Sequence, residues 1–426
     1  MVNIFKFKFF IILVSFCFSL KGAFATSLAE VLEEALNSSV QISAGKNNLE
    51  SQLEGINRLM AQKKPALSAN FSGSSEWDLK NDEESSSFSA GFTARYLLFD
   101  GNVTNYQISA ESFRIKALES EFEGIKQKVI YDAIIAYLNV LRDDKLVQLS
   151  SKNVLVLKEQ LDATMSRYEL GELTQTDVAQ AQSALEAATS SLASRKGALY
   201  LANTIFETAV GIKPIGLDTT ISLPDMPKNE IEAKESAIKF NMNLRASQMR
   251  QRRANALLDA ANSNRSPTLN ISTSLTGGET ALQQDFSNFG ISLTGSIPIY
   301  SGGSLESGRR KAQSDLELSM VNEEITRLTV QQAVITAWSD YSVSSAVITA
   351  RTREVEAAEL AYKGTLEETR LGARTILDVL NAEQSLMNAQ TNLETAKRDR
   401  LAGGYRLLFE MGKLAPSILG LERLIN

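Results

Sequence analysis

The residues Tyr168–Gln182, YELGELTQTDVAQAQ, return 201 positions later as Thr369–Glu383, TRLGARTILDVLNAE. Gly171, Thr174, Asp177, Val178 and Ala181 fall on Gly372, Thr375, Asp378, Val379 and Ala382 without a gap. The match runs on through Leu185/Leu386, Ala188/Ala389 and Leu192/Leu393 to Gly211/Gly412. Nothing else constrains the fold as strongly, because a chain written twice must be read as two copies of one unit. The repeated stretch reads as a helix stop and restart. Gly171 and Gly372 can take the left-handed conformation that ends a helix. Thr174 and Thr375 then cap the next helix, with Asp177 and Asp378 as capping-box partners favoured by the helix dipole.

Proline placement sets the lengths of the helices. No proline falls between Ala66 and Lys213 or between Ile299 and Ala415. These windows hold helices of roughly 103–170 with 174–210, and 305–371 with 375–411. At about 1.5 Å per residue the longer helix of each unit spans about 100 Å, more than a globular core needs. The helix after each turn carries a seven-residue repeat. Val178, Leu185, Leu192, Leu199 and Phe206 share one line, and Ala181, Ala188, Ala202 and Ala209 another. In the second unit Val379, Leu386, Leu393 and Leu407 pair with Ala382, Ala389, Ala396 and Gly403. Large and small residues alternating along a heptad seam indicate supercoiled helices.

Ahead of each long helix the period falls to two. Strands are expected at about 67–77, 88–98, 268–277 and 288–299, with apolar residues alternating with Ser, Thr, Gly and Asn. Each is about the length of a tilted strand crossing a bilayer. The repeat offset changes from 202 at Pro65/Pro267 to 201 at Phe99/Tyr300, which puts an indel in an exposed hairpin loop. A helix of about 35 residues, 28–63 in one unit and near 231–265 in the other, is expected before each hairpin.

The first 25 residues read as a secretory signal peptide: Lys6 and Lys8, an apolar run from Phe9 to Leu20, and Ala23-Phe24-Ala25 at the cleavage site. Cys17 lies inside the apolar run, so a lipidated Cys at the mature N-terminus is not expected. Loss of Lys6, Lys8 and Lys21 with no acid takes the net charge from −6 to −9. The mature chain has neither Cys nor His, which excludes disulfides, His or Cys metal sites, and Ser-His or Cys-His catalysis. Its acidity argues against a nucleic-acid partner. No cofactor and no enzymatic activity are expected. Four strands cannot close a membrane barrel, which needs about eight, so other copies of the chain must complete it.

The whole mature chain resembles the TolC family of bacterial outer-membrane channels. The resemblance rests on the signal peptide, the duplicated unit, Phe99-Asp100-Gly101-Asn102 and Tyr300-Ser301-Gly302-Gly303 at the strand-to-helix junctions, and the paired Gly-x-x-Thr-x-x-Asp turns. It implies a mainly α fold with a β-barrel portion: a trimeric 12-stranded outer-membrane barrel, four strands per chain, continued by a long coiled-coil α-helical tunnel in the periplasm. The expected organisation is a signal peptide at 1–25, a first repeat at 26–228 and a second at 229–426. The implied role is a passive exit duct for type I protein secretion, multidrug efflux or both. A periplasmic adaptor and an inner-membrane ABC or proton-driven transporter would dock at the tip. The resemblance places Asp177, Asp378 and Arg374 at the pore aperture, with Asn381 where an Asp is usual and Thr369 where a Tyr is. Gly171, Thr174, Gly372 and Thr375 form the expected docking tip.

Plainer readings stand beside these. Asp177 and Asp378 are accounted for as caps, Arg374 as a solvated turn residue, and Arg250, Arg252 and Arg253 as an outward helix face. Trp77, Tyr96 and Tyr300 read as interfacial aromatics, with burial the alternative for Tyr300. The rival functions are a trimeric coiled-coil adhesin, which does not need two strand-hairpin-helix units, and a metal-cation duct, which the lack of His and Cys disfavours.

Overall fold

In a computed structural model of the chain, residues 26–78, 83–279 and 284–416 are described. The expected signal peptide at 1–25, both hairpin tips and the last ten residues lie outside them. The described residues form eight helices and four strands in two matching series. The first is α1 (Leu28–Ser38), α2 (Val40–Ala61), β1 (Ala66–Asp78), β2 (Glu83–Phe99), α3 (Val103–Glu169) and α4 (Gln175–Val210). The second is α5 (Glu230–Phe240), α6 (Met242–Ser263), β3 (Thr268–Glu279), β4 (Asp285–Ser296), α7 (Ser304–Arg370) and α8 (Ile376–Glu410).

The single helix expected ahead of each hairpin is two. Ser39 and Asn241 adopt extended backbone and cap the second helix of each pair: Ser39 Oγ accepts from Ile42 N, and Asn241 Oδ1 accepts from Asn243 N and Leu244 N. Each break is held by the end of the unit's last helix. Ser38 Oγ donates to the Val210 carbonyl at 2.7 Å, and Asn241 Nδ2 to the Glu410 carbonyl at 2.9 Å. Gly211 and Gly412 sit against these breaks at positive φ, where a Cβ would collide with Ser38 in one case and with the Phe240 carbonyl in the other. Polar side chains able to cap from inside an apolar run override the helical period.

The strands form one antiparallel sheet in the order β1-β2-β3-β4, which leaves β1 and β4 as open edges. Its register sorts most residues by face, with Leu97 and Phe286 as apolar exceptions on the polar side. Rows such as Phe71–Ala90, Ala69–Phe92–Leu275–Phe289 and Tyr96–Ile271–Leu293 carry the apolar residues. Ser, Thr, Asn and Gly make up most of the opposite face, with hydroxyl pairs such as Ser72–Ser89 at 2.7 Å. The apolar face is bare, with Phe71 74% and Phe289 70% exposed. Trp77 and Tyr300 are also exposed, so burial within the chain is not the role of Tyr300. β2 begins earlier than expected, at Glu83, because a ladder of Ser–Ser pairs extends it through a polar stretch that has no apolar alternation. β4 stops at Ser296, short of Pro298, which has no amide hydrogen to give a ladder.

The core lies at mid-length of the helices, where α1, α3, α4 and α8 pack through Leu32, Ile130, Ile134, Phe206, Tyr405 and Leu408. The linker between the repeats is strapped onto it by Leu217, Ile221 and Leu223. Tyr137 donates to the Asp218 carbonyl at 2.7 Å, and Tyr405 to the Ser222 carbonyl at 3.1 Å. Burial pushes both phenols up to about 12, so they remain donors. The two repeats differ in how much they bury. Nineteen residues of α3 are buried but only six of α7, which exposes Leu318, Val321, Ile325 and Leu328.

Candidate functional site

The two tips are near copies. α3 ends in a Schellman turn, with Glu172 N donating to Arg167 O and Gly171 N to Tyr168 O, both at 2.9 Å. α7 ends the same way, through Ala373 N to Glu368 O at 2.8 Å and Gly372 N to Thr369 O at 3.1 Å. Gly171 and Gly372 each have φ +79°, and a Cβ at either would meet nothing within 4 Å. Their glycine is required by the backbone and not by space.

Each turn is followed by a complete capping box. Asp177 Oδ2 accepts from Thr174 N at 2.9 Å and from Thr174 Oγ1 at 2.7 Å, while Asp177 N donates to Thr174 Oγ1 at 3.3 Å. Asp378 and Thr375 repeat this at 3.0, 2.8 and 3.2 Å. The Thr174 hydroxyl and then its amide hold the Asp177 carboxyl below the usual range; for Asp378 the Thr375 amide comes first and the hydroxyl second. Both are half-exposed carboxylates at neutral pH. Arg374 ion-pairs with Glu368 at 2.9 Å and lies close enough to lower Asp378 further, and Arg167 pairs with Glu172 at 3.1 Å in the first turn. Asn381 is exposed one turn beyond Asp378. Thr369 is buried, its hydroxyl donating to Thr365 O at 2.8 Å with Thr375 O at 3.4 Å, so it ties the end of α7 to the start of α8.

Behind the turns, α3 and α7 flank a cavity of about 230 Å³ lined by Glu159, Thr164, Arg167, Tyr362, Thr369 and Arg370. Tyr362 is hydrogen-bonded to Glu383, which is buried on the inner face of α8 beside Val379 and Leu386. Burial raises the Glu383 carboxyl, and burial together with the Glu383 charge raises the Tyr362 phenol. Sequence reasoning passed over this pair. The available signal was an acid standing in an apolar stripe, at i+4 from Val379 and i−3 from Leu386. Of the basic cluster, Arg250 reaches across to Glu121 on α3 at 2.5 Å, so it bridges two helices at the surface. Among the described residues no cluster of acids could hold a metal ion, and no helix is long and apolar enough to cross a membrane.

The Outer membrane efflux protein family model matches residues 31–211 and 234–412, once for each repeat and across most of the chain. The chain belongs to that family. Outer membrane efflux protein relatives include BepC of Brucella suis, 25% identical over 94% of this chain and 89% of its own length. TolC of Escherichia coli is 24% identical over 92% and 83%, and the alkaline protease secretion protein AprF of Pseudomonas aeruginosa 24% over 79% and 72%. The solved CusC structure superposes with a TM-score of 0.84 at 18% identity, covering 90% of this chain and 92% of that one. VceC of Vibrio cholerae gives 0.79 at 18%, covering 90% and 96%. The fold is the mainly helical, two-part repeat fold of these channels, with four strands in the chain.

Proposed function

We propose that three copies of this chain form the outer-membrane exit duct of a tripartite export system. The observation that carries the reading is the sheet: four strands, two open edges, one apolar face and one hydroxyl-lined face, set on helices about 100 Å long. Unpaired strand edges are not tolerated in a bilayer, so β4 of one copy pairs with β1 of the next until twelve strands close. The apolar face then meets lipid and the hydroxyl face water. The helices carry the duct into the periplasm, and the chain is exported by a cleaved leader. Relatives named for protease secretion and for pyoverdine export support an export role that covers both kinds of cargo. The duct works by passage alone, without bond chemistry.

The glycine turns are the far end of the duct and its docking point for a periplasmic adaptor and an inner-membrane transporter. Asp177, Asp378, Arg374 and Asn381 ring the aperture, with Thr369 bracing it. The test is a Gly171→Val/Gly372→Val chain in a deletion strain. Each Val is strained by about 1 kcal/mol or more at positive φ but meets no neighbour. Trimers should form while adaptor crosslinking and export fall. Full export and crosslinking in the double variant would place docking elsewhere, and a deletion strain with no export defect would defeat the duct reading.

A further inference from the structure

On the hydroxyl face of the sheet one cation stands alone. The row Ala66–Arg95–Ser272–Ser292 crosses all four strands four residues before β2 ends at Phe99. The next rows on this face, Ser68–Thr93–Ser274–Gly290 and Asn70–Gly91–Thr276–Asn288, are uncharged. The nearest acids on the same face of β1 are Glu76 and Asp78, roughly 30 Å along the strand. Arg95 is exposed, its cross-strand neighbours cannot neutralise it, and it has no ion-pair partner among the described residues. Several exposed arginines outside the sheet are paired, as Arg265 and Arg309 are with Glu306 and Arg374 is with Glu368. Those without an ion pair among the described residues, such as Arg58, Arg245, Arg252 and Arg353, stand on the helices.

We propose that the three copies of Arg95 form a cationic ring at the periplasmic end of the barrel lumen that binds solutes carrying several phosphate or carboxylate groups. The inference rests on the duct reading, which makes the hydroxyl face the lumen. Twelve strands about 4.8 Å apart and tilted about 40° give a backbone radius of about 12 Å. An inward arginine reaches roughly half that way, which leaves each guanidinium about 6 Å from the axis. That is within the screening length of about 8–10 Å in physiological salt, so the three fields overlap where cargo must pass. Apolar walls concentrate the field, and the planar fork of arginine matches phosphate and carboxylate oxygens. The rows next above the ring are neutral and the charged residues beyond them on β1 are acids, so a captured anion leaves outward without a second attractive station.

The test uses the full-length trimer in planar bilayers at low salt, with tripolyphosphate added on the extracellular side. That side reaches the ring without crossing the tip. Wild-type current should be blocked in a concentration- and salt-dependent way. Arg95→Ser should raise the half-blocking concentration about tenfold or more, the equivalent of about 1.4 kcal/mol. Arg95→Lys, which keeps the charge and loses the fork, should retain part of the block. Wild-type channels indifferent to tripolyphosphate overturn the inference without any variant, as do Arg95→Ser channels blocked like wild type. Preparations that insert no conducting channel would instead defeat the duct reading itself.

Discussion

Asp177 and Asp378 each spend one carboxylate oxygen on a threonine cap, yet both remain partly exposed at the turn. Their folded values lie below the ordinary 3.8, so the cap is fully formed above that value and is lost as pH falls through the lowered one. At neutral pH two acids per chain are therefore ionised at the tip. Asp177→Asn/Asp378→Asn should lower the cation preference of the channel in planar bilayers, because an acidic constriction concentrates counter-ions. An unchanged preference would leave both residues as caps only. Glu383 has the opposite sign. Burial raises its value above 4.5, so its contribution is present below that pH and is lost as pH rises through the raised value. Glu383→Gln keeps a partner for Tyr362 without a buried charge. Hydrogen exchange at the tip, corrected for intrinsic rates, should slow a few-fold at pH 7 and lose the pH dependence that the raised carboxyl gives the wild type above 4.5. Faster exchange in the variant would show that the charge itself stabilises the hairpin.

The helical elements were legible where punctuation is covalent: glycine, proline and the Thr-x-x-Asp box bounded four long helices to within a residue or two. The breaks at Ser39 and Asn241 were not, because neither residue is a breaker by itself. The break becomes fixed only when a carbonyl from the far end of the same repeat arrives, about 170 residues away in sequence. It is met by Ser38 beside Ser39 in the first repeat and by Asn241 itself in the second. The Tyr362–Glu383 pair escaped for a similar reason, as its two members stand on different helices. Asn241 is the element-scale test. It is buried, caps α6 with its oxygen and satisfies the Glu410 carbonyl with its amide. Asn241→Ala leaves these groups unmet and should cost about 1–3 kcal/mol, read as a lower urea midpoint in detergent. Asn241→Asp keeps the cap, lacks the donor and should fall between. Equal midpoints for all three would make the break a consequence of packing alone.

At the scale of the molecule, α3 is packed on by helices of both repeats while α7 is left largely bare, with β1 and β4 unpaired at the sheet edges. Native mass measurement of the detergent-extracted protein should give three chains and no stable monomer; an even-numbered assembly would contradict a barrel closed by twelve strands. The bare α7 also has a genetic meaning. A chain that cannot finish its fold alone must recruit whichever siblings are present, sound or defective. A variant that assembles but does not pass cargo, such as the double glycine substitution, should therefore be dominant. Expressed beside the wild-type gene at equal level, it should disable most channels in the cell, because one faulty member in three is enough to spoil the aperture.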